Sequence, residues 1–264
     1  MPRILFWFWY AVGAALLLIW TVPESLGFSN GLFLVFYALY AAYVLFKGQS
    51  SSHMSDRSVI FGRGMNARRF WQLPLVRFTA AMAGIWTGGM AAEWAGVHTG
   101  HLFGSYAYSP ILGPLMWGVP VTLGFAWIGV VCNALLLTRE TGGRRLPGML
   151  LRGLQTAVWA VLLDLVLDPV AQARGFWDWG YDGGWYGVPL SNFTGWFVIG
   201  ALLSLLVKPV PVPYAARREG TRLYQGMLVL FGLLGLKEGL PGAAVIGLAA
   251  ILLSEGSLRY ARGR

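Results

Sequence analysis

The sequence predicts an all-α integral membrane protein, a polytopic bundle of about eight transmembrane helices with both termini in the cytoplasm. Of its 264 residues, 56% are hydrophobic and only 12% are charged, whereas about a quarter of a soluble domain is charged. Apolar runs of membrane-spanning length recur along the chain, and basic residues collect in alternate connections between them. These observations predict a single transmembrane domain over residues 1–264.

Eight apolar runs are the predicted spans, since a helix needs about 20 apolar residues to cross a hydrocarbon core of roughly 30 Å. They are Ile4–Val22, Gly31–Phe46, Leu73–Ala92, Leu115–Leu137, Leu151–Leu167, Ser191–Val207, Leu223–Leu236 and Gly242–Ser254. The first run is too long for the hydrophobic region of a cleavable signal peptide. The last two are short, so one re-entrant hairpin in their place, with seven spans in all, is the alternative.

The distribution of charge predicts the orientation. All but two of the 20 Lys and Arg residues lie near the termini or in the segments 47–77, 138–152 and 208–222. The two exceptions are Arg174 and Lys237. Because basic residues remain on the cytoplasmic side, both termini and these segments are predicted to be cytoplasmic. Topology therefore accounts for the net charge of +9, and no nucleic-acid partner is predicted.

Two outward loops, Ala95–Pro114 and Pro169–Leu190, are long and rich in glycine and aromatic residues. Disordered segments are poor in aromatic residues. Both loops are therefore predicted to fold back over the outer end of the bundle. Pro169 is predicted to end its helix, because the residue before a proline avoids the helical region.

Asp164 and Asp168 are the most informative polar residues, because both lie inside an apolar run. A charge at membrane depth costs about 2.5–3.5 kcal/mol. Residues four apart lie on the same face of a helix. In a low dielectric, two neighbouring carboxyl groups repel each other when both are ionised, so ionisation of both is unfavourable. One carboxyl group is therefore predicted to keep its proton and to act as a general acid. The alternative is a pair neutralised by arginine or by backbone amides.

Glu93 lies just before the predicted loop Ala95–Pro114, and His98 lies within this loop. Glu93 closes the third predicted span, and two interpretations stay open: an interface carboxylate at the helix end, or a partner for the aspartates. His98 and His101 lie on a glycine-rich segment without the H-E-x-x-H spacing of a zinc site. We expect a hydrogen-bonding role for His98 and no metal.

Four segments carry a family resemblance. They read EWAGVHTGHLFGSYAY at 93–108, LGPLMWGVP at 112–120, DLVLDPVA at 164–171 and WYGVPLSNFTGW at 185–196. Together they resemble the carotenoid biosynthesis membrane proteins, of the carotenoid 1′,2′-hydratase type that acts on bisanhydrobacterioruberin or γ-carotene. The resemblance covers roughly residues 70–207, the predicted site-bearing core.

The resemblance implies addition of water to the terminal double bond of an acyclic carotenoid end group, giving a tertiary alcohol. It implies no cofactor, a carotenoid substrate within the lipid bilayer, a prokaryotic plasma membrane, and other membrane enzymes of the pathway as partners.

The roles of individual residues follow from chemistry. The Asp164/Asp168 pair supplies the acid, and Glu93 or Asp178 accepts the proton of the attacking water. The side chains predicted to position that water or to offer ring faces to a carbocation are His98, Tyr106, Tyr108, Trp177, Trp179, Tyr186, Asn192 and Trp196. Tryptophan and tyrosine also concentrate at membrane interfaces, so a purely interfacial role is the alternative for these aromatic residues.

Two other function classes remain open. An intramembrane prenyltransferase of the lycopene elongase kind uses D-x-x-x-D to hold Mg²⁺ and diphosphate, and this pattern occurs at 164–168 and 178–182. No cluster of Arg or Lys accompanies the two copies to bind phosphate. A non-enzymatic lipid or pigment transporter would use the buried acids to relay protons.

Overall fold

The computed structural model describes residues 2–19, 29–51, 73–139, 145–180 and 183–262. The helices in these ranges are α1 (Pro2–Ile19), α2 (Ser29–Ser51), α3 (Pro74–Thr99), α4 (Thr122–Leu137), α5 (Leu146–Ala173), α6 (Leu190–Ser204), α7 (Tyr214–Lys237) and α8 (Pro241–Arg262). Short connecting elements are the strands β1 (Ala107–Tyr108), β2 (Leu115–Met116), β3 (Val119–Pro120) and β4 (Trp177–Asp178), and the 3-10 turn Pro110–Leu112.

The helices have the surface of a membrane bundle. By length and composition, α1, α2, α5 and α8 are each able to cross a membrane, and α4 and α6 are shorter apolar helices. On α8 the exposed face carries Val245, Leu248 and Leu252, which are 66%, 59% and 64% exposed. A soluble monomer rarely exposes contiguous apolar surface of this kind. The described residues therefore form a helical bundle with the apolar surface expected of a membrane protein, which agrees with the predicted fold class.

The predicted spans and the helices correspond one to one, with differences at their ends. The last two predicted spans belong to α7 and α8, which have 24 and 22 residues. At 1.5 Å per residue these helices are about 36 and 33 Å long. They are two long helices and not the short re-entrant hairpin of the alternative prediction. The apolar runs in the sequence are shorter than the helices that contain them.

The helix predicted to begin at Leu115 begins at Thr122. Residues 115–120 instead form a hairpin in which Leu115 pairs with Pro120. Its two turn residues, Trp117 and Gly118, have φ values of 51° and 81°, the left-handed pair that tight hairpin turns require. An apolar run alone does not distinguish such a hairpin from the first turns of a helix.

Pro169 does not end α5, which continues to Ala173. A proline has no backbone N–H, so the carbonyl four residues earlier loses its partner within the helix. In α5 that carbonyl belongs to Leu165, and the indole N–H of Trp185 donates to it at 2.9 Å. A side chain from the following loop therefore replaces the missing hydrogen bond and lets the helix continue.

This replacement predicts an energetic coupling between Pro169 and Trp185. We expect Trp185→Phe to lower the free energy of unfolding by about 1 kcal/mol, since it leaves the Leu165 carbonyl without a donor. In a Pro169→Ala background the new backbone N–H can serve that carbonyl, so the cost should shrink. Unfolding of the four proteins in detergent measures the coupling, and an equal cost in both backgrounds would contradict it.

Buried arginines cap helices at the end of the bundle opposite the two aromatic loops, here called the basic end. Arg152 donates to the carbonyls of Ser204 and Val207, at 3.1 and 2.6 Å. Arg217 donates to the carbonyl of Thr138, just after α4. Carbonyls at a helix C-terminus lack partners within the helix, and cations are favoured there. Part of the basic charge therefore holds helix ends in place.

The loops 100–121 and 174–189 meet at the other end of the bundle, here called the aromatic end. β1 and β4 pair as an antiparallel ribbon, with Ala107 opposite Asp178 and Tyr108 opposite Trp177. The prediction that both loops fold over the same end is confirmed by this pairing.

Two glycines allow loop 100–121 to lie directly on the helices. A Cβ atom on Gly96 of α3 would lie 2.6 Å from the Phe103 ring and 2.8 Å from the Tyr106 hydroxyl. One on Gly195 of α6 would lie 2.6 Å from the Leu102 carbonyl oxygen. Real Cβ contacts are longer, so both positions require glycine for this packing.

We expect Gly96→Ala to destabilise the fold by about 1–3 kcal/mol, the usual cost of overpacking. Gly256→Ala is the matched control, because a Cβ atom at this position on α8 meets nothing within 4 Å. It should be neutral or stabilising by up to about 1 kcal/mol, as is usual for Gly→Ala in a helix. Thermal unfolding in detergent compares the two, and equal melting temperatures would refute the close approach.

Candidate active site

A pair of buried aspartates forms the centre of the site. Asp164 and Asp168 lie one turn apart on α5 and are 1% and 2% exposed. The side-chain amide of Asn192, from α6, donates to both carboxyl groups, at 3.0 Å to Asp164 and by a shorter contact to Asp168. One amide thus binds two carboxyl groups and fixes their relative position.

The aspartate pair has no cation of its own in the described part of the chain, where neither carboxyl group forms a salt bridge. Oδ1 of Asp164 is also buried and accepts no hydrogen bond from the described residues. The sequence left open that an arginine neutralises the pair. Among the described residues, no arginine forms a salt bridge with either aspartate. Two unpaired charges at this depth would be very unfavourable.

Glu93 provides a third buried carboxyl group, 2% exposed. Its Oε2 accepts hydrogen bonds from the hydroxyls of Tyr106 and Tyr108, at 2.6 and 2.7 Å, and its Oε1 accepts one from the Trp127 indole at 2.9 Å. α3 continues to Thr99, beyond the predicted end of the span. Glu93 is therefore not an exposed carboxylate at a helix end, and loop 100–121 folds back to bind it.

The two tyrosines act as donors. Burial raises the pKa of both Tyr106 and Tyr108 far above the ordinary value for tyrosine, and the Glu93 carboxylate raises each pKa further. Both phenols therefore keep their protons throughout the physiological pH range and can hold Glu93 in place.

Glu93, Asp164 and Asp168 form one group, called the carboxylate cluster below. The Glu93 and Asp168 carboxyl groups lie within electrostatic range of each other, and Tyr106 lies within range of both. Residues from α3 and α5, far apart in the sequence, thus meet beneath the paired loops.

Aromatic rings surround the cluster. Trp127 and Trp196 stack with their centroids 4.3 Å apart, and the Tyr106 and Trp179 rings are 4.8 Å apart. Gly89 of α3 makes room for Trp127, since a Cβ atom there would lie 2.5 Å from its ring. Trp127 is a site residue that the sequence did not reveal, because nothing in its apolar surroundings distinguishes it from a packing residue.

Of the predicted site residues, Asn192, Tyr106, Tyr108, Trp177, Trp179 and Trp196 accompany the carboxylate cluster. Three others do not. Asp178 is exposed, and its Oδ1 accepts a hydrogen bond from the Gly180 N–H. Successive residues of a strand face opposite sides, so the burial of Trp177 directs Asp178 outward.

His98 and Tyr186 also lie apart from the cluster. His98 is exposed, and its Nδ1 lies 2.8 Å from the carbonyl oxygen of Trp94. Five residues beyond Glu93, it faces a different side of α3. Tyr186 is 37% exposed, and its hydroxyl accepts a hydrogen bond from the Gly242 N–H. Asp182, the end of the second D-x-x-x-D pattern, lies outside the described residues.

The family of this chain follows from comparison with known proteins. A sequence model of the family described as "Carotenoid biosynthesis protein" matches residues 58–254. The chain is also 40% identical over 115 residues to bisanhydrobacterioruberin hydratase of Haloarcula japonica, a match that covers 43% of this chain and 39% of that protein's length. No solved structure matches the chain. Since the family match covers most of the sequence, the chain belongs to the carotenoid biosynthesis protein family.

Proposed function

We propose that the protein is a carotenoid hydratase, which adds water to the terminal double bond of an acyclic end group to give a tertiary alcohol. The observation that carries this proposal is the buried Asp164/Asp168 pair, bound by Asn192 next to Glu93 and aromatic rings. The name of the Haloarcula japonica relative supports the same reaction, although the match covers less than half of either chain.

The first step is transfer of a proton from the aspartate pair to carbon. Two carboxyl groups on one amide in an apolar bundle are held most favourably with one proton between them, as a coupled unit. That proton is transferred to the alkene carbon that bears hydrogen. The π bond breaks, a C–H bond forms, and the positive charge appears on the carbon that bears two methyl groups.

The resulting tertiary cation is stabilised by its surroundings. The stacked indoles of Trp127 and Trp196 offer ring faces, each worth up to about 2 kcal/mol to a desolvated cation. The aspartate pair, now fully ionised, and Glu93 add negative charge nearby. These groups are placed before the reaction begins, so little reorganisation is needed when the charge develops.

Water completes the reaction by attacking the tertiary carbon. Its oxygen forms the new C–O bond, and one of its protons passes to Glu93, whose position is fixed by Tyr106 and Tyr108. The buried indole N–H of Trp179, which has no hydrogen-bond partner among the described residues, is available to hold this water. Return of the proton to the aspartate pair restores the site, and the balance of atoms and electrons requires no redox cofactor.

The proposal places the whole chain as one domain in a prokaryotic plasma membrane, with eight spans and the site-bearing core at about residues 70–207. The basic end faces the cytoplasm, with both termini. Other membrane enzymes of the carotenoid pathway would supply the substrate or use the product.

Single-cysteine variants test this orientation in a Cys132→Ala background, since Cys132 is the one cysteine of the sequence. We expect Trp117→Cys, 73% exposed at the aromatic end, to react with a membrane-impermeant thiol reagent on intact cells. Arg259→Cys, at the basic end, should react only after lysis. The opposite pattern would reverse the topology.

Expression in a lycopene-accumulating host, followed by mass analysis of the pigments, tests the proposed reaction. Hydration adds the mass of one water per end group. A gain of one prenyl unit, dependent on Mg²⁺ and a prenyl diphosphate, would support the prenyltransferase alternative instead. Unchanged pigment in an altered location would support a transporter.

A further inference from the structure

Buried polar atoms without a hydrogen-bond partner collect towards the aromatic end of the bundle. Among the described residues, such side-chain atoms are Asp164 Oδ1, Gln172 Oε1, the indole nitrogens of Trp177 and Trp179, and Arg152 Nε. Arg152 belongs to the basic end, whereas the other four belong to α5 and to loop 174–189. A buried polar atom that stays unpaired costs about 1–3 kcal/mol, so four of them in one region require a common partner.

Gln172 continues the polar face of α5. It lies one turn beyond Asp168, as Asp168 lies one turn beyond Asp164, and residues four apart on a helix are neighbours. Both aspartates are buried, whereas Gln172 is half-buried and the next residue, Ala173, is exposed. This row of side chains therefore leads from the surface of the aromatic end to the aspartate pair.

A tight turn covers the Gln172 end of this row. The backbones of Trp185 and Val188 pair with each other, and the residues between them, Tyr186 and Gly187, have φ values of 50° and 84°. A Cβ atom on Gly187 would lie 3.7 Å from Cγ and 3.9 Å from Nε2 of Gln172. The backbone of the turn therefore lies directly on the Gln172 amide and encloses it against α5.

The two indole N–H groups lie beside the residues that bind Glu93. The Trp177 and Tyr108 ring centroids are 5.7 Å apart, and those of Trp179 and Tyr106 are 4.8 Å apart. Both tyrosine hydroxyls donate to Glu93. The unpartnered donors thus lie on the Glu93 side of the carboxylate cluster, and the unpartnered acceptors lie on its α5 side.

Water is the ligand that matches this set of groups. A water molecule both donates and accepts, and a buried water makes about three hydrogen bonds to polar groups that are otherwise unsatisfied. A carotenoid hydrocarbon offers neither a donor nor an acceptor to these atoms. Hydration, in contrast, requires water at a site that is enclosed by an apolar bundle.

We infer that Gln172, Trp177 and Trp179 bind the water that takes part in hydration, and that this water enters past Gln172 from the aqueous phase at the aromatic end. The inference rests on the proposed function, in which water attacks the tertiary carbon beside Glu93. The two substrates then approach by different routes, since the carotenoid is dissolved in the bilayer.

Loss of the bound water should change the fate of the tertiary cation and not its formation. In heavy water, the aspartate pair transfers a deuteron to the alkene carbon, so a C–D bond forms as the π bond breaks. Where water does not attack, the ionised pair removes a proton from the same carbon or from a neighbouring methyl group. The double bond forms again, and the carotenoid leaves unhydrated with one deuterium. The ratio of deuterated, unhydrated carotenoid to hydrated product at early times therefore measures the supply of water.

Gln172→Met and Trp177→Phe each remove the hydrogen-bonding group and keep a side chain of the same kind in place. We expect each to lower hydration on the order of tenfold, the effect of one lost hydrogen bond. The deuterium ratio should rise by a similar factor, because proton transfer to the alkene continues. Gln225→Met is the matched control, since Gln225 of α7 is also half-buried and its amide donates to Ser254 at 3.2 Å. It should keep the wild-type rate and ratio.

The route past Gln172 is tested with Gln172→Cys in the Cys132→Ala background. In the purified protein this thiol should react with a small, water-soluble thiol reagent, and the blocked entrance should raise the deuterium ratio. A thiol that does not react would overturn the route.

Wild-type ratios in both Gln172→Met and Trp177→Phe would overturn the water site. So would a parallel loss of hydration and deuterium exchange, since it would indicate damage to the acid or to the fold. A wild-type protein that neither hydrates the carotenoid nor exchanges deuterium into it would instead refute the proposed function.

Discussion

Asp164→Asn and Asp168→Asn are each expected to lower carotenoid hydration by about 100-fold or more, the usual contribution of a general acid. The amide has the shape of the carboxyl group but no acidic proton. Its oxygen can still accept the hydrogen bond from Asn192, so the bundle should remain folded. Because the pair acts as a unit, the double variant should lose little more than either single one.

A surface carboxylate provides the control for these variants. Glu255 of α8 is bound to Arg259 at 2.9 Å, and its side chain is 38% exposed. Glu255→Gln removes a charge of the same type and should leave hydration unchanged. Pigment mass and thermal unfolding are measured for all variants, and wild-type hydration in both Asp164→Asn and Asp168→Asn would show that the mechanism is wrong.

Glu93→Gln is expected to have the second-largest effect, a loss of about 100-fold if this group accepts the proton of the attacking water. The glutamine amide would also face one of the donors Tyr106, Tyr108 and Trp127. We therefore expect the free energy of unfolding to fall by about 1–3 kcal/mol, the cost of an unmatched buried polar group. Rates are to be normalised to folded protein.

Asp178→Asn distinguishes the two carboxylates that the sequence offered for this role. Asp178 is exposed and bonded to the Gly180 N–H, so its substitution should change hydration by no more than about twofold. A large loss in Asp178→Asn together with wild-type activity in Glu93→Gln would reverse the assignment.

Much of the fold could be predicted because its determinants are local. The lengths of the apolar runs predicted the helices. The placement of basic residues predicted that the two aromatic loops lie at the same end of the bundle. Two of the errors in the predicted fold arose where an interaction with a residue distant in the sequence, or a tight turn, overrides a local rule. Pro169 fails to end α5 because Trp185 replaces the lost hydrogen bond, and the run from Leu115 begins with a hairpin.

The site could be predicted where spacing alone determines geometry. Asp164 and Asp168 share a helix face because they are four residues apart, and Asn192 reaches them from the adjacent α6. Asp178 could not be placed from the sequence, since its direction depends on the pairing of β4 with β1. Trp127 could not be recognised as a site residue either, because its role depends on a hydrogen bond to Glu93, which lies on a different helix.

Purified protein in lipid nanodiscs, supplied with an acyclic carotenoid in heavy-oxygen water and no other reactant, tests the role of the aspartate pair most directly. We predict that the wild type incorporates one heavy oxygen per hydrated end group, at the tertiary carbon. The Asp164→Asn/Asp168→Asn protein should return the carotenoid unchanged. Unchanged carotenoid from the folded wild type, or equal incorporation by the double variant, would contradict acid-catalysed hydration by this pair.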